Sequence, residues 1–195
     1  MNNNLQKTQI IVEDGIPMTA TTTPIVETER LILRAHRLDD FEALHSLWTQ
    51  PAVYEFISGK PSTREASWGR LLKYAGLWTL NGYGFWAVED KATGRYVGDI
   101  GFANFLRDIE PPFGDTPEMG WVLAPEIHGK GYASEALAAA AAWGDGFFKQ
   151  DRALCIISPE NTASLRVAEK TGFGRIGTAD YTGETVLLLE RRFKR

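Results

Sequence analysis

With one cysteine, Cys155, among its 195 residues, the chain cannot form an internal disulfide, which excludes the stapled secreted scaffolds. Its length makes such staples unnecessary, because a chain of this size buries roughly 70% of the surface its unfolded form exposes. Histidine is scarce as well: His36, His45 and His128 are the only three, and their scatter gives no metal-ligand spacing. No apolar run is long. The longest, Ala136 to Trp143, falls far short of the ~20 residues of a membrane span, and the amino end carries Asn and Thr instead of a charged-then-apolar leader. A basic block is also missing. Lys and Arg number 21 against 25 Asp and Glu, a net charge of −4, which argues against nucleic acid as a partner. These absences leave a cytoplasmic protein with no membrane, nucleic-acid or metal partner as the expectation.

What is present is ordinary globular material, 44% hydrophobic and 24% charged, enough for one domain. Residues 1–24, with Asn2-Asn3-Asn4 and the Thr-rich stretch Thr19 to Thr23, show no hydrophobic period and read as a loose tail before a domain at 25–195. Leu31 to Leu33 reads as a strand. Leu38-Asp39-Asp40 offers an N-cap for a helix with Phe41, Leu44, Leu47 and Trp48 at helical spacing, ended by Pro51. Ser62-Thr63-Arg64-Glu65 has the form of a capping box for a second helix to about Leu80, with Trp68, Leu71, Leu72 and Trp78 as its apolar face. Tyr83 to Val88 and Tyr96 to Phe102 read as an antiparallel pair about the turn Asp90 to Gly94, and Glu118 to Leu123 as a third strand. The intervening Arg107 to Pro117 is a loop, because it carries Pro111, Pro112, Gly114 and Pro117. Ala133 to Phe148 predicts a helix whose small side chains press it onto a sheet. Leu154 to Ile157 is a short strand, Asn161 to Thr171 a helix, and Phe173 to Ile176 and Val186 to Glu190 two last strands. The order gives an α/β (α+β) domain built on one mixed sheet.

Chemistry concentrates at His128-Gly129-Lys130-Gly131-Tyr132-Ala133-Ser134-Glu135-Ala136, between a strand and the start of a long helix. Free backbone N–H groups and the helix dipole favour an anion there, Gly129 and Gly131 allow close approach, and Lys130 adds positive charge. A pyrophosphate fits this turn. The dinucleotide fingerprint does not, because Ser134 stands where the third glycine belongs and Asp151 precedes the next strand. The P-loop fails too, since Gly129-Lys130 is followed by Gly131 and not by Ser or Thr.

Glu118-Met119-Gly120-Trp121-Val122-Leu123, the turn from His128 to Ala136, and Asn161 to Phe173 together resemble, in order and spacing, the GNAT acyl-CoA-dependent N-acetyltransferases. Among these they are most similar to the branch containing ribosomal-protein N-terminal acetyltransferases. The resemblance runs from about Thr28 to Arg191 and is most specific in its second half. It implies a single GNAT-like domain with a central, mixed but largely antiparallel sheet flanked by helices, splayed in the middle for acyl-CoA. It also implies acetyl transfer to a primary amine by direct attack in a ternary complex, with acetyl-CoA as cosubstrate and no metal. The pyrophosphate would lie on the backbone of Gly129, Lys130, Gly131, Tyr132, Ala133 and Ser134. His128 replaces the family's usual Gln or Arg. The pantetheine arm would pair with main-chain groups of Val122 and Leu123.

Asn161 reads as an N-cap after Pro159, and the resemblance adds a coenzyme contact. Ser164 is either a first-turn helix serine or, as the resemblance implies, the group that protonates the departing thiolate. Glu118 resembles a glutamate common at this place in the branch and is the candidate base, the alternative being a solvated strand-end carboxylate. Cys155, among Leu154, Ile156 and Ile157, reads as a buried inert thiol. Acceptor recognition is assigned to Gln50 to Ser62, the loop Arg107 to Thr116 and the turn Tyr181 to Thr185. Asp108, Glu110 and Asp115 would suit a cationic amine, and Trp48, Trp68, Trp78 and Trp86 form either core or an aromatic pocket. A peptide N-terminus, polyamine, aminoglycoside or amino-acid derivative all remain open as acceptor. Homodimers occur among similar proteins, and a non-catalytic acyl-CoA-binding module on the same fold is the alternative function. Acetyl-CoA at 100 times its dissociation constant should add about 2.7 kcal/mol, or roughly 5–10 °C in melting temperature, with no such shift from NAD or ATP. A larger shift with either control would overturn the reading of the turn.

Overall fold

The computed structural model describes residues 23–194, so the expectation of a loose tail falls, for residues 1–22, outside the described residues. Pro24 belongs to the domain, since its carbonyl accepts a 2.8 Å hydrogen bond from Trp86 Nε1. One eight-stranded sheet forms the centre, in the order β1-β2-β3-β4-β5-β6-β8-β7. Its strands are β1 (Val26–Glu27), β2 (Leu31–Arg34), β3 (Phe85–Asp90), β4 (Tyr96–Ala103), β5 (Glu118–Leu123), β6 (Arg152–Ile157), β7 (Gly174–Tyr181) and β8 (Glu184–Arg192). Each neighbouring pair is antiparallel except β5 and β6. That pair is parallel because the chain returns through a helix, α4 (Tyr132–Phe147), as a parallel crossover requires.

The remaining helices are α1 (Phe41–Trp48), α2 (Pro51–Tyr54), α3 (Arg64–Asn81) and α5 (Thr162–Lys170). Local signals account for most of their ends. Thr63 caps α3 by accepting a 3.1 Å bond from Ala66 N, although Glu65 lies one position too early to complete the reciprocal box. Gly82 closes α3 in the left-handed conformation, φ 75°. Asp40 does not cap α1 with its side chain. Its carboxylate instead takes two 2.8 Å bonds from Arg34 and one of 2.7 Å from Arg37 N. Pro51 opens α2 instead of ending α1, a role suited to a residue without an N–H.

Two layers pack on the sheet. Trp143 of α4 meets Trp86 and Phe102, whereas Tyr74 of α3 stacks on Phe85 at 4.7 Å, and α1 places Trp48 against Asp99. Strand alternation puts these contacts on opposite faces. The apolar face of α3 is Leu71, Tyr74 and Trp78, while Trp68 and Leu72 are 41% and 51% exposed, which corrects the face expected from sequence. The period-2 and period-3.6 patterns located both elements, but the orientation of α3 is fixed by Tyr74, a residue that sequence spacing did not single out.

Asp99 is fully buried yet has a full set of donors: Tyr96 Oη at 2.6 Å, Trp48 Nε1 at 3.1 Å and His36 Nε2 at 2.8 Å. It joins β4 to α1 and to the chain leading into α1. Asp99→Ala would strand those buried donors, so the expected outcome is about 3 kcal/mol lost in urea unfolding; a change below about 1 kcal/mol would contradict this account.

Candidate active site

On one side β5 pairs with β4 along its length, from Glu118↔Ala103 to Leu123↔Gly98. On the other it meets β6 at one register pair, Glu118↔Leu154, backed by Leu154 N donating to Pro117 O at 3.0 Å. Past this point the strands diverge, and β5 has no ladder partner on its β6 side. The gap opens into a cleft of about 350 Å³ with Met119, Gly120 and Val122 on one wall and Ile157, Asn161 and Ser164 on the other. Gly120 lies close under the Phe85 ring, where an added Cβ would stand 3.0 Å from Phe85 Cζ and push the ring by a few tenths of an ångström.

At the closed end of the cleft lies Glu118, 4% exposed. This removes the alternative of a solvated strand-end carboxylate. Arg107 holds it at two points, Nε to Oε2 at 2.7 Å and Nη2 to Oε1 at 2.8 Å, and donates to Tyr181 Oη at 2.6 Å. Each Glu118 oxygen retains accepting capacity beyond this pair. Burial is the largest single influence and disfavours the Arg107 charge, but the hydrogen bond and charge of Glu118, together with Tyr181, outweigh it and raise the guanidinium pKa above its ordinary value. Burial, with help from the Glu118 charge, pushes the Cys155 thiol well up. Cys155 is thus the inert thiol expected from its neighbours.

The other end is the glycine turn. Gly129 and Gly131 have φ of 73° and 84°, values that favour glycine. Gly131 is the N-cap of α4 and offers no side chain to its first turn, which leaves N–H groups at Tyr132, Ala133 and Ser134 for a ligand. The turn is pinned from behind. Arg30 donates to Lys130 O at 2.9 Å and pairs with Glu135 at 2.6 Å, and its guanidinium lies 4.2 Å from the centre of the Tyr132 ring. His128 fills the turn as expected, donating from Nε2 to Leu123 O at 2.9 Å.

Asn161 caps α5, its side-chain oxygen accepting from Ser164 N at 3.0 Å. Glu118, Val122, Asn161 and Ser164 therefore share one cleft, while Leu123 and His128 to Ser134 lie outside its lining. All three segments assigned to acceptor recognition reach the cleft, through Phe56 and Ile57, Arg107, and Tyr181 to Thr185. The acidic side chains of the loop do not. Asp108, Glu110 and Asp115 are exposed and none lines the cleft, so the expectation that they meet a cationic amine is corrected. Of the four tryptophans, Trp48 lines the cleft, Trp68 is exposed, and Trp78 and Trp86 are core.

Arg107 and Tyr181 fall within segments assigned to acceptor recognition, but sequence reasoning gives them no role at Glu118 and does not single out Arg70 and Lys73 on α3, which line the same cleft. No local pattern marks them. Partial burial, with Arg70 and Arg107 nearby, holds the Lys73 ammonium below its usual pKa. Among the described residues no group of three or more His, Cys, Asp or Glu could hold a metal, and no helix is long and apolar enough to cross a membrane.

Residues 30–174 match the family model described as the acetyltransferase (GNAT) domain. The N-acetyltransferase YoaA of Bacillus subtilis (strain 168) is 28% identical over 156 residues, covering 79% of this chain and 85% of YoaA. A GnaT-family acetyltransferase from Bordetella pertussis superimposes with a TM-score of 0.76 at 29% identity, covering 87% of this chain and 99% of that one. RimL, a ribosomal L7/L12 alpha-N-protein acetyltransferase solved in complex with coenzyme A, shares the fold, with a TM-score of 0.71 at 19% identity over 87% of this chain and 98% of its own. A splayed parallel pair, a glycine turn at the start of the helix that joins its two strands, and a matching family model over most of the chain together establish that this protein belongs to the GNAT acetyltransferase family.

Proposed function

We propose that the protein transfers the acetyl group of acetyl-CoA to a primary amine in a ternary complex, with the cleft between β5 and β6 holding both substrates. The observation that carries this reading is the unpaired edge of β5, which begins beside the buried Glu118 and ends near the glycine turn. A pantetheine arm resembles an added strand and would use the N–H of Leu123, the Leu123 carbonyl being already engaged by His128 and the Val122 main chain facing β4, so that Val122 contributes its side of the cleft wall. The backbone of Gly129 to Ser134, with Lys130 at its rim, would take the pyrophosphate. His128 acts by holding that turn against β5, and Asn161 by capping α5 so that Ser164 faces the cleft.

In the reaction the amine nitrogen attacks the thioester carbonyl carbon, the C–N bond forms and the C–S bond breaks. The nitrogen sheds a proton to Glu118, and the leaving thiolate takes one from the Ser164 hydroxyl, which solvent then restores. Arg107 and Tyr181 position Glu118. No acyl-enzyme is needed, and Cys155, buried with a raised pKa, is unsuited to form one. A buried carboxylate aimed at the acyl site also favours catalysis over an acyl-CoA-binding module without turnover. One domain at 25–195 carries these functions, and a cytoplasmic setting fits the coenzyme it uses.

Two measurements test these roles. Ser134→Asp places a carboxylate in the first turn of α4, where it favours the helix dipole but repels a phosphate. Acetyl-CoA affinity should fall at least tenfold with the melting temperature unchanged or higher; unchanged affinity would remove the turn from the coenzyme site. Glu118→Gln leaves Arg107 one acceptor in place of two and removes the base, so kcat should drop about 100-fold while acetyl-CoA still binds. Full kcat in that variant would take Glu118 out of the proton path.

A further inference from the structure

The acceptor end of the cleft carries three cations, Arg70, Lys73 and Arg107, against the carboxylates of Glu118 and Glu184. Arg107 is neutralised by Glu118. Arg70 and Lys73 are not: among the described residues neither has a carboxylate within ion-pair distance. They stand three positions apart on α3, where like charges repel. Arg70 is half-buried and Lys73 exposed, so solvent serves both in the free protein and both stay available to an anion that enters the cleft.

The surroundings specify what that anion is attached to. The Arg70 guanidinium lies 3.5 Å from the centre of the Trp48 ring and donates to Ser62 Oγ at 3.3 Å. Stacked this way, its remaining N–H groups form a planar fork suited to a carboxylate or phosphate. Lys73 Nζ lies 5.0 Å from the Phe105 ring centre and 5.9 Å from that of Tyr74. Tyr74 stacks on Phe85, whose ring covers Gly120. The two cations are thus set among aromatic faces, with Glu118 beyond Arg107. The coenzyme phosphates do not account for them, because the glycine turn contributes nothing to the lining of this part of the cleft.

We infer that the acceptor is an anionic small-molecule amine of the amino-acid class: its carboxylate or phosphate is held by Arg70 and Lys73, its apolar body lies against Trp48 and Phe105, and its amino group is turned towards Glu118. This rests on the acetyltransferase reading above and narrows its substrate class. Polyamines and aminoglycosides, which bring only positive charge, are disfavoured by the same two side chains.

The test is calorimetric titration of the protein saturated with coenzyme A, so that no turnover is needed. The probes are leucine, phenylalanine and glutamate, the corresponding α-carboxamides, phosphoethanolamine, spermidine, kanamycin and a short peptide amide with a free amino end. The expected result is binding of at least one free acid or the phosphate at least tenfold tighter than its uncharged counterpart or the polycations. The acids and phosphoethanolamine distinguish a carboxylate from a phosphate site. Arg70→Gln and Lys73→Gln should each weaken that binding at least tenfold, with melting temperatures reporting that both variants are folded; Lys73→Gln leaves the Trp48 stack intact. Equal binding of acid and amide, preference for spermidine, kanamycin or the peptide, no binding of any anion, or variants that bind like the parent would each overturn the inference. Coenzyme A binding with no anion preference would defeat this inference alone, whereas failure to bind coenzyme A would defeat the acetyltransferase reading beneath it.

Discussion

The single register pair between β5 and β6, Glu118↔Leu154, is the constraint on which the rest of this structure depends. A parallel pair continued along both strands would satisfy their backbone groups and leave no room for a ligand. Stopping it after one pair exposes the edge of β5 to an extended guest and creates the cleft, while the antiparallel ladder with β4 keeps that edge rigid. The crossover helix α4 serves both ends of this arrangement. Its buried alanines, Ala136, Ala140 and Ala141, let it lie close to the sheet, and its start presents the glycine turn.

Buried polar pairs then orient the parts around the cleft. Asp99 gathers Trp48, Tyr96 and His36, and the Trp48 ring so placed carries the Arg70 guanidinium. A second pair, Arg107 with Glu118, fixes the carboxylate at the closed end and links it to Tyr181 at the far edge of the sheet. Arg30 with Glu135 binds the connection between β1 and β2 to the glycine turn. Each pair is low in exposure on at least one side, where breaking it would leave an uncompensated charge. Arg70 and Lys73 differ from Arg107 in lining the cleft without such a partner among the described residues, and they sit where the proposed anionic substrate would pair with them.

Much of the fold was legible because its signals are local. Glu118–Leu123 was delimited correctly by the proline-rich loop before it and by Pro125 after it, and the α5 cap at Asn161 follows from one side chain and its own helix. The glycine turn was legible for the same reason, since positive φ at Gly129 and Gly131 is a property of those residues. The face of α3 was read wrongly because Trp68 and Leu72 are apolar yet exposed, whereas Tyr74 is buried against Phe85. Hydrophobicity alone did not distinguish a ring that packs from one that does not. The short β1 was missed because two residues, Val26–Glu27, are too few to show a period.

By itself, then, the sequence determined the order of the longer elements, the mixed sheet, the glycine turn before α4 and the place of Glu118 at the head of β5. Those features depend on backbone preferences and spacings within a few residues. Only the tertiary structure decided the surroundings of Glu118, the charge of the acceptor end and the separation of the loop's acidic side chains from the cleft. Arg107 is near Glu118 in sequence, but Tyr181, Arg70 and Lys73 reach the same cavity from elements far along the chain. The sign of charge at a site is the sum over side chains brought together in space, and no window along the chain contains that sum.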